Sequence, residues 1–361
     1  MSDPATPGPA SPGPATLGPA SPGPASSGLE PEPVDGPANG LIDVHAHFVT
    51  DRYADAAKAA GRLRPDGMPG WPSWDPDTHL GLMDQWGVAT AMLSVSSPGI
   101  HFGDDKAARA LAREVNEFGA GTARARPDRF GHLASLPLPD VDGAIAEACH
   151  ALDELGSDGV TIETNAEGRY PGDPEFAPLW QELNERAAVV FVHPTSPPGH
   201  EAVSLGLPRP MMEFLFDSAR AAADLLFSGF LDRYPDIQWV FTHGGGALPL
   251  LADRIELFRS AFGLASGGAT ATEQLRRLWY DLAGTPFPHQ TPALVAAFGS
   301  EHVLYGSDFC WTPAPVVGPQ IASLRDAEQP DGGTWHGLTT RNAVKLFPRL
   351  AAQASEEGAV R

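Results

Sequence analysis

Two histidines separated by one residue lie in an apolar stretch near residue 45. His45 and His47 belong to the run 41–48, whose composition predicts a β-strand. Because strand side chains alternate between faces, both imidazoles point the same way, about 6–7 Å apart along the backbone. Both can therefore reach one metal ion at nitrogen–metal distances of about 2.0–2.1 Å. A lone His-x-His pair is equally compatible with two strand histidines satisfied by hydrogen bonds.

Three further polar residues stand at the predicted ends of other strands. His193 ends the apolar run 189–193, His243 ends the run 237–243, and Asp308 ends the run 302–308. A shared metal site explains five such residues at four strand ends better than five separate hydrogen-bonded side chains do. This explanation requires a fold in which the strand ends converge.

Eight apolar stretches alternate with helical patterns from residue 41 onward. The predicted strands are 41–48, 89–96, 130–136, 159–164, 189–193, 237–243, 278–282 and 302–308. Nearly continuous apolar strands joined through helices indicate an α/β fold with a parallel sheet covered on both faces. The number eight favours a closed (β/α)8 TIM barrel, in which the C-terminal ends of all strands meet at one mouth.

Residues 1–40 differ in composition from the rest of the chain. A Gly-Pro-Ala motif recurs there every five residues, with almost nothing apolar to bury. We therefore expect a disordered tail over 1–40, followed by a single metal-dependent barrel domain over 41–361. The Gly- and Pro-rich segments 61–75 and 195–210 follow the first and fifth strands and are predicted to form pocket walls, although ordinary surface loops would have the same composition.

The charge of the chain restricts its partners. A formal net charge of −21 repels phosphate backbones and anionic lipid, so neither nucleic acid nor membrane is an expected partner. An anionic ligand would need a local cation, which a bound metal supplies. Two cysteines are too few for a disulfide framework, and neither a membrane span nor a signal peptide is recognisable, so we expect a cytoplasmic protein.

Several motifs together resemble the amidohydrolase superfamily, and within it the metal-dependent decarboxylases related to aminocarboxymuconate-semialdehyde decarboxylase. They are Asp43-Val44-His45-Ala46-His47, Val192-His193-Pro194, Thr242-His243-Gly244-Gly245-Gly246, Tyr305-Gly306-Ser307-Asp308 and the run Leu231-Asp232-Arg233-Tyr234-Pro235. The resemblance extends over roughly residues 41–350. Segments 97–105 and 164–165 are similar, more loosely, to bacterial relatives of 6-methylsalicylate decarboxylase.

This resemblance implies a ligand set. His45, His47, His193 and Asp308 would hold one divalent metal, and His243 would act beside it as the acid–base group. Three imidazoles and one carboxylate suit Zn²⁺, our first expectation, while Mn²⁺, Fe²⁺ or Co²⁺ would also fit.

Superfamily members with two metals have a carboxylated lysine at the end of the fourth strand, where this chain has Glu163. A mononuclear site follows most simply. A carboxylate could also bridge a second ion, but we expect Glu163 to be held by hydrogen bonds. No organic cofactor is expected, because the glycine run 244–246 lacks the spacing of a dinucleotide-binding motif.

The implied reaction is the non-oxidative decarboxylation of an aromatic or enoic carboxylic acid of salicylate type, including 6-methylsalicylate. Protonation of the ring carbon before C–C cleavage would make the ring an electron sink, with Asp308 or His243 as the donor. Two alternatives remain open: a metal-dependent hydrolase of a lactone, amide or ester, and a non-catalytic metal-binding barrel. Relatives in this branch often form dimers, so a homodimer is a further expectation.

An acid substrate also requires a cationic anchor and an aromatic surface. The substrate-binding candidates on predicted mouth loops are Arg62, Arg64, Trp74, His101, Asn165 and Arg209. Each arginine could form a bidentate pair with a carboxylate, or could be an ordinary solvated loop residue.

Overall fold

The structure, a computed structural model, describes residues 40–264 and 268–350. Eight strands form one parallel sheet in which each strand pairs with the next along the chain. The strands are β1 Leu41–His47, β2 Val88–Ser94, β3 Phe130–Ser135, β4 Gly159–Glu163, β5 Val189–His193, β6 Gln238–Phe241, β7 Trp279–Asp281 and β8 Val303–Leu304. The predicted (β/α)8 architecture is confirmed. The predicted tail lies outside the described residues except for Gly40, as do residues 351–361.

Two bridges from β1 to the segment after β8 close the sheet into a barrel. They join Asp43 to Tyr305 and Ala46 to Phe309. The buried Asp43 carboxylate reinforces this closure, because its Oδ1 accepts a hydrogen bond from Ser307 N over 3.0 Å. Burial raises the pKa of Asp43 to about 6, against the opposing effect of the hydrogen bonds from Ser307.

Helices follow the strands and cover the outside of the barrel. Those of the described residues are α1 Asp51–Ala59, α2 Pro76–Trp86, α3 Asp105–Ala125, α4 Val141–His150, α5 Ala177–Glu185, α6 Glu213–Phe227, α7 Phe230–Arg233, α8 Leu248–Ala261, α9 Ala271–Leu275, α10 Thr291–Phe298, α11 Ala314–Asp326 and α12 Trp335–Leu346. The last helix packs against β1 and β8, and Leu346 joins Val44 and Leu304 in one buried apolar cluster. Within the described residues no helix has the length and apolar character needed to cross a membrane.

Strands β6 and β8 end earlier than predicted. His243 and Asp308 do not end these strands but lie in the turns that follow, with φ of 51° and 59°. A positive φ takes a residue out of the β region, so neither His243 nor Asp308 has strand geometry. After His243 the chain passes so close to α6 that a Cβ on Gly246 would lie 2.0 Å from Leu215 O, which explains the glycine at that position.

Candidate metal centre and active site

Three imidazoles and one carboxylate converge at the C-terminal ends of the strands. The Nε2 atoms of His45 and His47 are 3.0 Å apart, and Asp308 Oδ1 lies 3.4 Å and 3.2 Å from them. With His193 included, all four ligand atoms lie within 4.8 Å of one another. A tetrahedral ion about 2.1 Å from each donor requires donor separations of about 3.4 Å. The four residues therefore fit one divalent metal ion.

The opposite ring nitrogens of these imidazoles face away from the convergence point, and each has a hydrogen-bond partner. The pairs are His45 Nδ1 with Asp281 Oδ2 at 2.9 Å, His47 Nδ1 with Ser94 Oγ at 3.0 Å, and His193 Nδ1 with Pro194 O at 2.8 Å. A carboxylate or carbonyl at Nδ1 favours the tautomer in which Nε2 keeps its lone pair. This is the arrangement of metal-ligating histidines.

Asp308 presents an unsatisfied atom to the same point. Its Oδ1 is buried, and its ion-pair contacts with Nε2 of His45 and His47 lack hydrogen-bond geometry. A buried carboxylate oxygen without a hydrogen bond costs free energy, and a metal ion at the convergence point would be its partner. Burial alone would raise the pKa of Asp308, but His45 and His47 hold it well below its usual value. The side chain is therefore ionised, as a ligand must be.

The imidazoles differ in protonation. Burial lowers the pKa of His47 and lowers that of His193 well below its usual value, so both are neutral and ready to ligate. Burial also acts to lower the pKa of His45, but Asp281 and Asp308 outweigh it and raise the pKa to about 10. Metal binding at this site would therefore displace a proton from His45.

Asp281 links the metal-ligand candidates to His243. Its Oδ2 pairs with His45, while its Oδ1 accepts hydrogen bonds from His243 N at 3.0 Å and Ala283 N at 2.9 Å. His243 Nδ1 lies 3.2 Å from Ala283 O, and its ring centroid is 5.1 Å from that of His45. Asp281 was not among the site residues predicted from the sequence, although it is the acidic residue inside the otherwise apolar run 278–282.

Glu163 belongs to neither of the two groups of metal-ligating side chains in the described part of the chain. Its Oε2 is buried without a hydrogen bond, which differs from the hydrogen-bonded residue that we expected. Burial, and after it the charge of Asp66, raises the pKa of Glu163 well above its usual value. Since Glu163 lies outside the group of three imidazoles and one carboxylate, the mononuclear arrangement is favoured.

A cavity of about 900 Å³ opens above the convergence point. His193, His243 and Asp308 form its polar floor. Much of the wall is apolar, and its larger side chains are Met68, Met211, Phe214, Leu215, Leu250, Phe287, Trp311 and Val316. The segments 61–75 and 195–210 reach the wall, the first with Asp66 and Met68 and the second with Pro210. The remaining wall comes from Ser96 and Ser97 after β2, from residues 211–215 and from segments that follow β6, β7 and β8.

The predicted substrate-binding residues lie elsewhere. Of the described residues that line the cavity, none is one of the six candidates. Arg62 and Arg64 are exposed, and Trp74 Nε1 donates to His79 Nδ1 over 3.0 Å in the packing beside β1.

The other three candidates take part in hydrogen bonds or ion pairs. His101 pairs with Asp105 and Glu167, Asn165 Nδ2 donates to Asp217 Oδ2, and Arg209 Nε donates to Ser196 Oγ. Arg209 is the nearest of the six in sequence to the wall, since Pro210 follows it. A role in substrate binding stays a prediction for all six.

Fold and site together define a metal-binding (β/α)8 barrel with an acid–base histidine candidate beside its ligands. The model of the amidohydrolase family matches residues 42–349, and the chain belongs to this family.

Two relatives named as decarboxylases are similar to this chain over most of its length. Decarboxylase yanB of Aspergillus niger is 38% identical over 331 residues, which cover 87% of this chain and 89% of that protein. The 6-methylsalicylic acid decarboxylase acuB of Aspergillus aculeatus is 36% identical over 323 residues, 86% of this chain and 96% of that protein.

The crystal structure of a 5-carboxyvanillate decarboxylase from Novosphingobium aromaticivorans contains manganese and 4-hydroxy-3-methoxy-5-nitrobenzoic acid. It matches with a TM-score of 0.79 at 22% identity, covering 89% of this chain and 100% of that one. At this identity the likeness concerns the fold.

Proposed function

We propose that this protein is a metal-dependent decarboxylase that removes CO₂ non-oxidatively from an aromatic acid of salicylate type, such as 6-methylsalicylate. The observation that carries the proposal is the convergence of three imidazole nitrogens and Asp308 Oδ1 below a largely apolar cavity. The chain is 38% and 36% identical to two proteins named as decarboxylases, over most of the length of each, and this similarity supports the reaction type.

One divalent ion would be held by His45, His47, His193 and Asp308. Zn²⁺ is our proposal for its identity, and the same donors suit Mn²⁺, Fe²⁺ or Co²⁺. When bound, the ion supplies positive charge that attracts and polarises the carboxylate of an acid substrate. This local charge offsets the repulsion expected from a protein with a net charge of −21.

A side chain of the site, His243, would supply the proton that the reaction needs. His243 lines the cavity, and its Nδ1 is engaged by Ala283 O, so Nε2 is the atom available to a bound substrate. A proton given to the ring carbon that bears the carboxylate lets the C–C bond break, and its electron pair restores the aromatic ring as CO₂ leaves. Asp281 fixes His243 by accepting a hydrogen bond from its backbone N–H.

The apolar side chains of the cavity wall would bind the aromatic ring of the substrate. Phe214, Phe287 and Trp311 offer apolar surface, and a volume of about 900 Å³ lies within the range of small-molecule sites, about 300–1,000 Å³. Water is excluded from apolar surfaces of this kind once a ring covers them, which strengthens the electrostatic interactions at the floor.

The test compares two reactions on one preparation. Protein reconstituted with Zn²⁺ or Mn²⁺ is incubated with salicylate and 6-methylsalicylate, and separately with aromatic lactones and esters, while CO₂ and acid are measured. We expect CO₂ from at least one salicylate, and a loss of that activity of at least about a hundredfold in His243→Asn. Lactone or ester hydrolysis without CO₂ from any acid would establish the hydrolase alternative instead.

Two further predictions from the sequence accompany the proposal. A homodimer and a cytoplasmic location both stay predictions, to be checked by sedimentation and by cell fractionation.

A further inference from the structure

One carboxylate lies on the cavity wall outside the group of metal-ligand candidates. Asp66, in the segment between α1 and α2, is 7% exposed and lines the cavity. Both of its oxygens accept hydrogen bonds: Ser97 Oγ donates to Oδ2 over 2.7 Å, and Ser196 Oγ donates to Oδ1 over 2.5 Å. Two donated bonds fix the side chain in one position on the cavity wall. Asp66 also has a φ of 52°, so the turn that presents it is held in an uncommon conformation.

The cavity offers this charge no direct counter-ion. Of the described residues that line the cavity, none is lysine or arginine. Arg209 forms no ion pair with Asp66 in the described structure: its Nε donates to Ser196 Oγ at 2.9 Å, Ser196 in turn donates to Asp66, and the two charges interact across this hydroxyl. A ligand group that approaches this part of the wall therefore meets a carboxylate.

We infer that Asp66 is a specificity-determining residue that makes the cavity accept monocarboxylic acids and reject acids whose ring carries a second carboxylate. The inference rests on the proposed function. The floor can accommodate one substrate carboxylate beside the metal, but a second one turned toward Asp66 would face a like charge in a partly apolar cavity. A methyl group in its place carries no charge and suits a cavity whose lining includes apolar side chains such as Met68 and Phe214.

The size of the effect follows from Coulomb's law. Two like charges about 6 Å apart at an effective dielectric constant between 20 and 40 repel enough to weaken binding about tenfold to a hundredfold. Like-charge contacts of this kind act mainly on specificity, because they penalise the wrong ligand without improving the right one.

The experiment measures kcat/KM for 6-methylsalicylate and for 2-hydroxybenzoates that carry a second carboxylate at position 3, 4, 5 or 6. Wild-type protein is compared with Asp66→Asn and Asp66→Gly, two residues that tolerate a positive φ, and both variants are checked by thermal unfolding. We expect the preference for 6-methylsalicylate over at least one dicarboxylate to fall about tenfold or more in each folded variant. Asp55→Asn, which removes one exposed charge from α1, should leave the preference unchanged.

Two outcomes would overturn the inference: an unchanged preference in both folded variants, or a wild-type enzyme that decarboxylates the dicarboxylates as well as 6-methylsalicylate. Neither would affect the proposed function. Absence of CO₂ from every acid would overturn the proposed function instead. In that case the dissociation constants of the same acids, measured by calorimetry on Zn²⁺-loaded wild type and Asp66→Asn, decide the role of Asp66.

Discussion

Buried histidines occupy two regions of this barrel, and only one region has the geometry of a metal site. At the mouth, His45 and His47 turn their Nε2 atoms toward each other and toward Asp308. Between the barrel and its helices, His132 bonds Ser157 Oγ through Nδ1, and its Nε2 has no hydrogen-bond partner in the described structure. Both regions are almost fully buried. Burial of a histidine therefore does not by itself indicate function.

Nearby carboxylates separate the two regions. Asp281 and Asp308 overcome the effect of burial and raise the pKa of His45 to about 10. Burial, together with the charge of Arg124, lowers the pKa of His132 to about 3. The carboxylates stabilise positive charge at the first position, whereas burial disfavours it at the second, so of these two regions the mouth is the one suited to a divalent ion.

The largest expected effect is loss of the metal. His193→Ala removes one of four ligands, so we expect metal content to fall from about one equivalent per chain to near zero and CO₂ release to fall by about a thousandfold or more. His132→Gln is the matched control, because it removes a buried histidine from the other region. Elemental analysis and a CO₂ assay measure both variants. Equal metal content in the two variants would mean that the two regions do not differ in metal binding.

The second-largest expected effect comes from replacing Asp281, whose carboxylate pairs with Nδ1 of His45. Asp281→Asn keeps the shape of the side chain but removes its charge, and loss of such a partner weakens metal binding by about 10–100-fold. Competition with a chromophoric chelator measures the affinity directly. Asp217→Asn serves as the control, because Asp217 is equally buried but accepts hydrogen bonds from Thr164, Asn165 and Tyr170 instead. A similar loss of affinity in both variants would mean that Asp281 acts only through the stability of the fold.

The core histidines should make stability depend on pH. Because the pKa of His132 falls from 6.5 to about 3 on folding, the unfolded chain binds more protons between these values. Stability is therefore present above pH 6.5 and is lost as pH falls toward 3, by about 2 kcal/mol between pH 7 and pH 5 for this residue. Urea unfolding at the two pH values should show a smaller loss for His132→Gln than for the wild type. The same loss in both proteins would contradict the assignment of His132 as a buried neutral residue.

The residues at the mouth were easier to predict from the sequence than those of the cavity wall, for physical reasons. His193 ends β5 as predicted, because an apolar run that stops at a polar residue marks a strand end directly, and His47 ends β1 one residue before the end of the predicted strand. The positions of His243 and Asp308 beyond their strands depend on positive φ angles, which hydrophobic patterns do not encode. Asn165 bonds Asp217, 52 residues away in the chain, a contact that the local sequence pattern does not predict.

The smallest expected effect comes from replacing the exposed arginines Arg62 and Arg64, which lie outside the mouth. Arg62 and Arg64 were predicted to anchor the substrate carboxylate, but both are exposed and neither is among the described residues that line the cavity. Exposed charges interact weakly with a ligand across solvent, so Arg62→Ala and Arg64→Ala should each change kcat/KM by less than about twofold. Steady-state assays of CO₂ release at low and physiological salt measure this. A tenfold rise in KM in either variant, reversed by lysine at the same position, would show that the rim closes over the substrate and would restore the arginine as its anchor.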